Sequence, residues 1–109
     1  MVTAVTRNNL CDSNPQWIRA IEEMIFETVI FFRQRGHKRD IAIEQASLAL
    51  GLTQRRTWSI FYEQPFAITR DEYAAIRERF ARHLEFQADA YARQSEIVRA
   101  KLRQMELDV

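Results

Sequence analysis

Between Pro15 and Gly36, the side chains of Trp17, Ile18, Ile21, Met24, Ile25, Thr28, Val29 and Phe32 recur at helical spacing. Ser13 or Asn14 suits the N-cap, and Pro15 falls where a first helical residue tolerates it. Arg33 and Arg35 suit the last turn, after which Gly36 supplies a left-handed stop. Phe26, Ile30 and Phe31 lie on the opposite face. A helix apolar nearly all round is buried on two sides, so either the domain wraps this one or a subunit interface covers it. The stretch TVIFF also has strand propensity, but its flanks are helical and no partner strand is visible.

A second helix is expected from about Asp40 to Gly51, with Ile43, Ala46, Ser47 and Leu50 on one face. Thr53 offers the N-cap of a short third helix through about Glu63, ended by Pro65. Thr69 and Glu72 form a T-x-x-E capping box that opens the last segment. No Gly or Pro interrupts residues 70–109. Tyr73, Ile76, Phe80 and Leu84 begin an apolar stripe there. Leu84, Ala88, Tyr91, Ser95, Val98, Leu102 and Met105 continue it with the alternating four-and-three spacing of a heptad seam. Such a helix is about 55 Å long, more than the rest of the chain can cover, so it requires a break or a partner chain. The predicted architecture is all-α, with about four helices. It comprises a polar arm (1–14), a helical domain (15–69) and a long C-terminal dimerisation helix (70–109).

The 109 residues are enough for one domain, with a globular composition of 47% hydrophobic and 28% charged residues. The scarcity of turn formers, two Gly and two Pro, disfavours a β-sandwich. No apolar run reaches membrane-span length, the first residues lack a signal-peptide core, and the single Cys11 cannot form an internal disulfide. These features point to a cytoplasmic protein that does not enter a membrane. Net charge is only +1, but it is unevenly placed: residues 33–60 carry +4, against −2 before and −1 after. All the basic residues except Lys38 and Lys101 are arginines, the better fork-shaped donors to phosphates and base edges, although genome composition is an equal explanation.

The stretch IEQASLALGLTQRRTWSIFYE, residues 43–63, places two short helical patterns either side of Gly51. Ala46, Leu50, Leu52 and Ile60 point inward, Ser47 is small where two helices approach, and Gly51 sits where the backbone needs a positive φ. This stretch resembles the helix-turn-helix motif of the Cro and repressor proteins and of many bacterial regulators. GLTQRRTWSIF is also similar to the G-V-S-x-x-x-L-Y-x-x-F run of the tetracycline-repressor family, with Trp58 in the Tyr place and Phe61 in the Phe place. The chain departs from that family after residue 70, where about 40 residues cannot build its ligand-binding domain. Thr57 stands where a larger aliphatic residue is usual. The resemblance implies that Thr53, Gln54, Arg55, Arg56, Trp58 and Ser59 face double-stranded DNA from a recognition helix. Arg reads guanine, Gln reads adenine, and Thr or Ser holds phosphate.

Each of these residues also has an ordinary explanation. Gln54, Arg55 and Arg56 suit a solvated helix start, though two cations there oppose the helix dipole. Trp58 suits a core anchor as well as a backbone contact. Lys38 and Arg39, with Arg33 and Arg35, flank the corner and suit phosphate contacts or a charged helix end. Arg77, Arg79 and Arg82 alternate with Glu78 and Glu85 as a salt-bridged surface would. His37 and His83 are far apart, and the chain has no zinc spacing, phosphate loop or nucleophile elbow, so neither catalysis nor a cofactor or metal is expected. The expected function is sequence-specific DNA binding by a homodimer that regulates transcription in a bacterium or phage. Its seam is Leu84, Ala88, Tyr91, Val98, Leu102 and Met105, and its half-sites lie about 34 Å apart. The main rival is an adaptor or anti-regulator whose amphipathic helices dock a protein partner. A small-ligand sensor using the aromatics of the first helix is a third possibility.

Overall fold

The computed structural model describes residues 14–108, so the expected arm lies outside the described residues except for Asn14. Four α-helices follow in order: α1 (Pro15–Gln34), α2 (Arg39–Leu50), α3 (Gln54–Phe61) and α4 (Arg70–Leu107). The fold is all-α with a long C-terminal helix.

Local chemistry sets each boundary. Asn14 caps α1, its side-chain oxygen accepting from the backbone N–H groups of Gln16 and Trp17 at 2.9 and 3.4 Å. Two residues past its end, Gly36 adopts φ 99° and turns the chain. α2 stops at Gly51, whose φ of 70° lies in the left-handed region, and the Leu52 N–H returns to the Ser47 carbonyl at 3.0 Å. Only Gly51, Leu52 and Thr53 separate α2 from α3. Thr53 then caps α3 by accepting from the Arg56 N–H at 3.1 Å. α3 ends at Phe61, two residues short of the expected Glu63, because Glu63 turns the backbone to φ 61°. The capping box at Thr69 and Glu72 is formed in both directions.

The core joins all four helices around α2. Ile21, Ile25 and Val29 of α1 meet Ala42, Ile43, Ala46 and Leu50 of α2, Ile60 of α3, Ile68 of the connecting loop and Ile76 of α4. Thus residues 15–69 share their core with the first turns of α4. Three buried hydroxyls are satisfied inside their own helices: Thr28 donates to Met24, Ser47 to Glu44 and Thr57 to Thr53, at 2.6–2.9 Å between oxygens. That bond explains how Thr57 occupies a position where an aliphatic residue is usual.

One expectation needs correction. The buried stripe of α4 runs Tyr73, Ile76, Phe80 and His83, whereas Leu84 is half-exposed. Of the three apolar residues on the second face of α1, Phe31 is buried by the domain itself, one of the two arrangements expected for that face. It meets His83, Phe86 and Tyr91 edge-on, with centroids 5.1–5.9 Å away. Phe26 and Ile30 stay exposed. From Tyr91 onward every described residue of α4 is exposed, so its last turns project as a bare rod. The radius of gyration, 18.9 Å, exceeds the roughly 13 Å of a compact chain of this length, and the long dimension is 79 Å.

Candidate nucleic-acid interface

The corner residues sort into two groups. Gln54, Arg55, Trp58 and Ser59 line one shallow depression on the outer side of α3. Gln54 and Arg55 are exposed and Ser59 is half-buried. Trp58 is 41% exposed and lies against Tyr62, with ring centroids 4.8 Å apart. Arg39, from the first turn of α2, donates from its guanidinium to the Tyr62 hydroxyl at 3.3 Å. Tyr62 therefore links Arg39 to the Trp58 side of α3. Lys38, exposed, is the N-cap position of α2 beside Arg39. The positive excess of the middle segment thus converges partly on this face.

Arg56 belongs to the other group. Its guanidinium pairs with the Glu72 carboxylate and also donates to the Ala67 carbonyl at 2.8 Å. Both partners are about two-thirds covered, with side-chain exposures of 30% and 38%. Glu72 simultaneously accepts from the Thr69 N–H and hydroxyl at 3.1 and 3.2 Å. The Arg56 bond is the main reason that the Glu72 pKa falls below its ordinary value; burial opposes it, and the Thr69 N–H assists. Arg56 therefore clamps the first turn of α3 to the start of α4, and does not stand beside Arg55 as an outward pair. Thr53 is likewise engaged, as the cap. Gln54, Arg55 and Trp58 remain directed at solvent.

Several residues that shape this region were not singled out from the sequence for these roles. Glu72 is legible in the sequence as a capping residue, and in the structure it also holds Arg56. The Arg79 side chain crosses Gly51, occupying the space a Cβ would fill, with its Cδ 2.8 Å from that position. Gly51 is thus required for its φ, while a Cβ there would only push aside the flexible end of Arg79. His83 is 6% exposed among Phe31, Phe32 and Phe86, and its Nε2 has no hydrogen-bond partner among the described residues. Burial holds its pKa below the ordinary 6.5.

The residues of the expected pairing seam, Leu84, Ala88, Tyr91, Val98, Leu102 and Met105, are all exposed along α4. No helix of the described residues is long and apolar enough to cross a membrane. No group of three or more His, Cys, Asp or Glu residues placed to hold a metal occurs among them. Comparison of the chain with protein-family models, curated proteins and solved structures found no match.

Proposed function

We propose that this chain is a cytoplasmic, sequence-specific DNA-binding regulator that acts as a homodimer. In this reading α2 and α3 form a helix-turn-helix, and α3 enters the major groove. The single observation that carries it is the exposed face of α3, where Gln54, Arg55 and Trp58 stand within the first turns after a three-residue corner. Arg55 is the base reader, Gln54 a second one, and Arg39 and Lys38 are phosphate contacts. Arg56 orients α3 and makes no base contact.

The test is selection of bound fragments from a random double-stranded pool, followed by titration of the selected site. Arg55→Ala should weaken binding to that site by roughly 1–3 kcal/mol, about 5- to 150-fold, at unchanged thermal stability. A pool that enriches nothing, or an Arg55→Ala chain that binds like the parent, removes recognition from α3.

A second reading is supported by α1. Phe26, 55% exposed, faces the Phe61 ring at 6.1 Å, and Ile30 lies exposed one turn further on. These residues line a trough with Val29, Arg33 and Arg39 that suits an apolar protein partner. In that case Phe26→Ser abolishes capture of the partner while Arg55→Ala does not.

A further inference from the structure

We infer that α4 binds a second copy of this chain antiparallel, in a coil whose two-fold axis passes near residue 93. The inference rests on the homodimer of the proposed function, and on nothing about DNA.

The seam alternates side chains of very different size. In a parallel pair each layer meets its own copy, so Ala88 faces Ala88 and Ser95 faces Ser95. Those two layers are underfilled, while Tyr91 and Tyr91 crowd the layer between them. Coiled-coil cores require even filling, because both voids and overpacking cost stability. Turning one helix round removes the mismatch. With the axis near 93, Tyr91 meets the partner's Ser95, Ala88 the partner's Val98, and Leu84 the partner's Leu102. The next layer outward sets Ala81 against the partner's Met105, again small on large. Ala81, Met105 and the residues between them on this seam are exposed; among the described residues Phe31 touches the edge of Tyr91, and more than half of Tyr91 stays open to a partner. The span from 81 to 105 is on the order of three and a half heptads, the length such a coil needs.

The flanking charges are compatible with this register. Glu85 falls beside the partner's Arg99, and symmetry makes that pair twice. The like-charged neighbours, Glu78 and the partner's Glu106, are relieved because Arg82 already donates to Glu78 at 2.7 Å. A parallel pair would instead gain Lys101 beside the partner's Glu106. Charge therefore permits either sense, and core volume decides.

Cross-linking of the full chain tests the arrangement in the absence of DNA. Ala88→Cys and Val98→Cys chains, each carrying Cys11→Ser, are mixed as one unfolded pool, refolded and oxidised. Both positions are exposed, so the core is untouched. The antiparallel register brings 88 against the partner's 98 but holds 88 about 15 Å along the axis from 88, too far for a disulfide. The expected product is a species of twice the chain mass in the mixture alone, absent when either variant is oxidised separately. Self-linked Ala88→Cys or Val98→Cys dimers would establish the parallel sense and overturn the inference. A monomeric mass by light scattering, or a dimer that never cross-links, would overturn it as well. None of these results bears on whether DNA binds, which the fragment selection decides separately.

Discussion

Two adjacent guanidinium groups, at positions 55 and 56, meet different surroundings: one ends in solvent, the other between the Glu72 carboxylate and the Ala67 carbonyl. Substitution should separate these roles. Arg56→Ala is expected to cost about 1 kcal/mol of stability, the modest worth of a partly exposed ion pair with one backbone hydrogen bond. Its effect on DNA affinity should follow only from loosening α3. Denaturant titration of both variants checks this, and a loss of stability for Arg55→Ala rather than Arg56→Ala would reverse the assignment. Acid should expose two further groups in turn. The folded His83 resists protonation, so the unfolded chain binds more protons there, and stability falls as pH drops through 6.5 towards the lower folded value. The folded Glu72 also has a lowered pKa, and its contribution, complete above 4.5, is lost as pH drops below that value. His83→Leu should flatten the upper part of the melting-temperature profile and leave the lower part. An unchanged slope near pH 6.5 would show that His83 does not govern that loss.

At the scale of the elements, the α2–α3 corner depends on Gly51. Gly51→Ala places a Cβ at φ 70° and in the path of Arg79. The left-handed conformation alone costs about 1–2 kcal/mol, and Arg79 must also leave its place across the turn. Thermal unfolding should therefore show a drop, whereas Gly36→Ala, with φ 99° but open space around it, should show the conformational part alone. Repeating Gly51→Ala in an Arg79→Ala background isolates the contact, and an equal loss with and without Arg79 would show that it has no energetic weight. The features readable from sequence are those with short-range causes. The Asn14 and Thr53 caps, the Thr69–Glu72 box and both glycine stops were legible because each is settled by residues within about one turn. Arg56–Glu72 was not, since the pair spans 16 positions and exists only once α3 docks on α4. His83 was legible in spacing, one turn beyond Phe80 and in register with Ile76, but a polar side chain is a weaker core signal than the Leu84 beside it. That α1 has a second face to bury was legible in its periodicity, but not that α4 would cover Phe31 and leave Phe26 and Ile30 exposed, because periodicity ranks faces without saying which element reaches them.

Across the whole molecule, the bare rod of α4 determines where two recognition helices can lie. Each α3 is tied through Arg56 to Glu72, near the N-terminal end of α4. With the two-fold near residue 93, the two Glu72 positions are 42 residue steps apart along the rod, about 63 Å at 1.5 Å per residue. That is close to two turns of B-DNA, about 68 Å, and far from the one-turn spacing expected of a compact dimer. A parallel coil would instead bring both heads to one end and allow the one-turn spacing. Fragments selected by the full chain should accordingly carry inverted half-sites whose centres lie about 20–21 base pairs apart. Glu placed at both Val98 and Leu102 should separate the protomers. The double variant should then lose the spacing preference while retaining weak binding to a single half-site, because the α2–α3 corner and its clamp lie at the other end of α4. Selected sites spaced by one turn would contradict the antiparallel register while leaving α3 as the reading element. Lone half-sites bound equally well by parent and double variant would instead show that the rod takes no part in recognition.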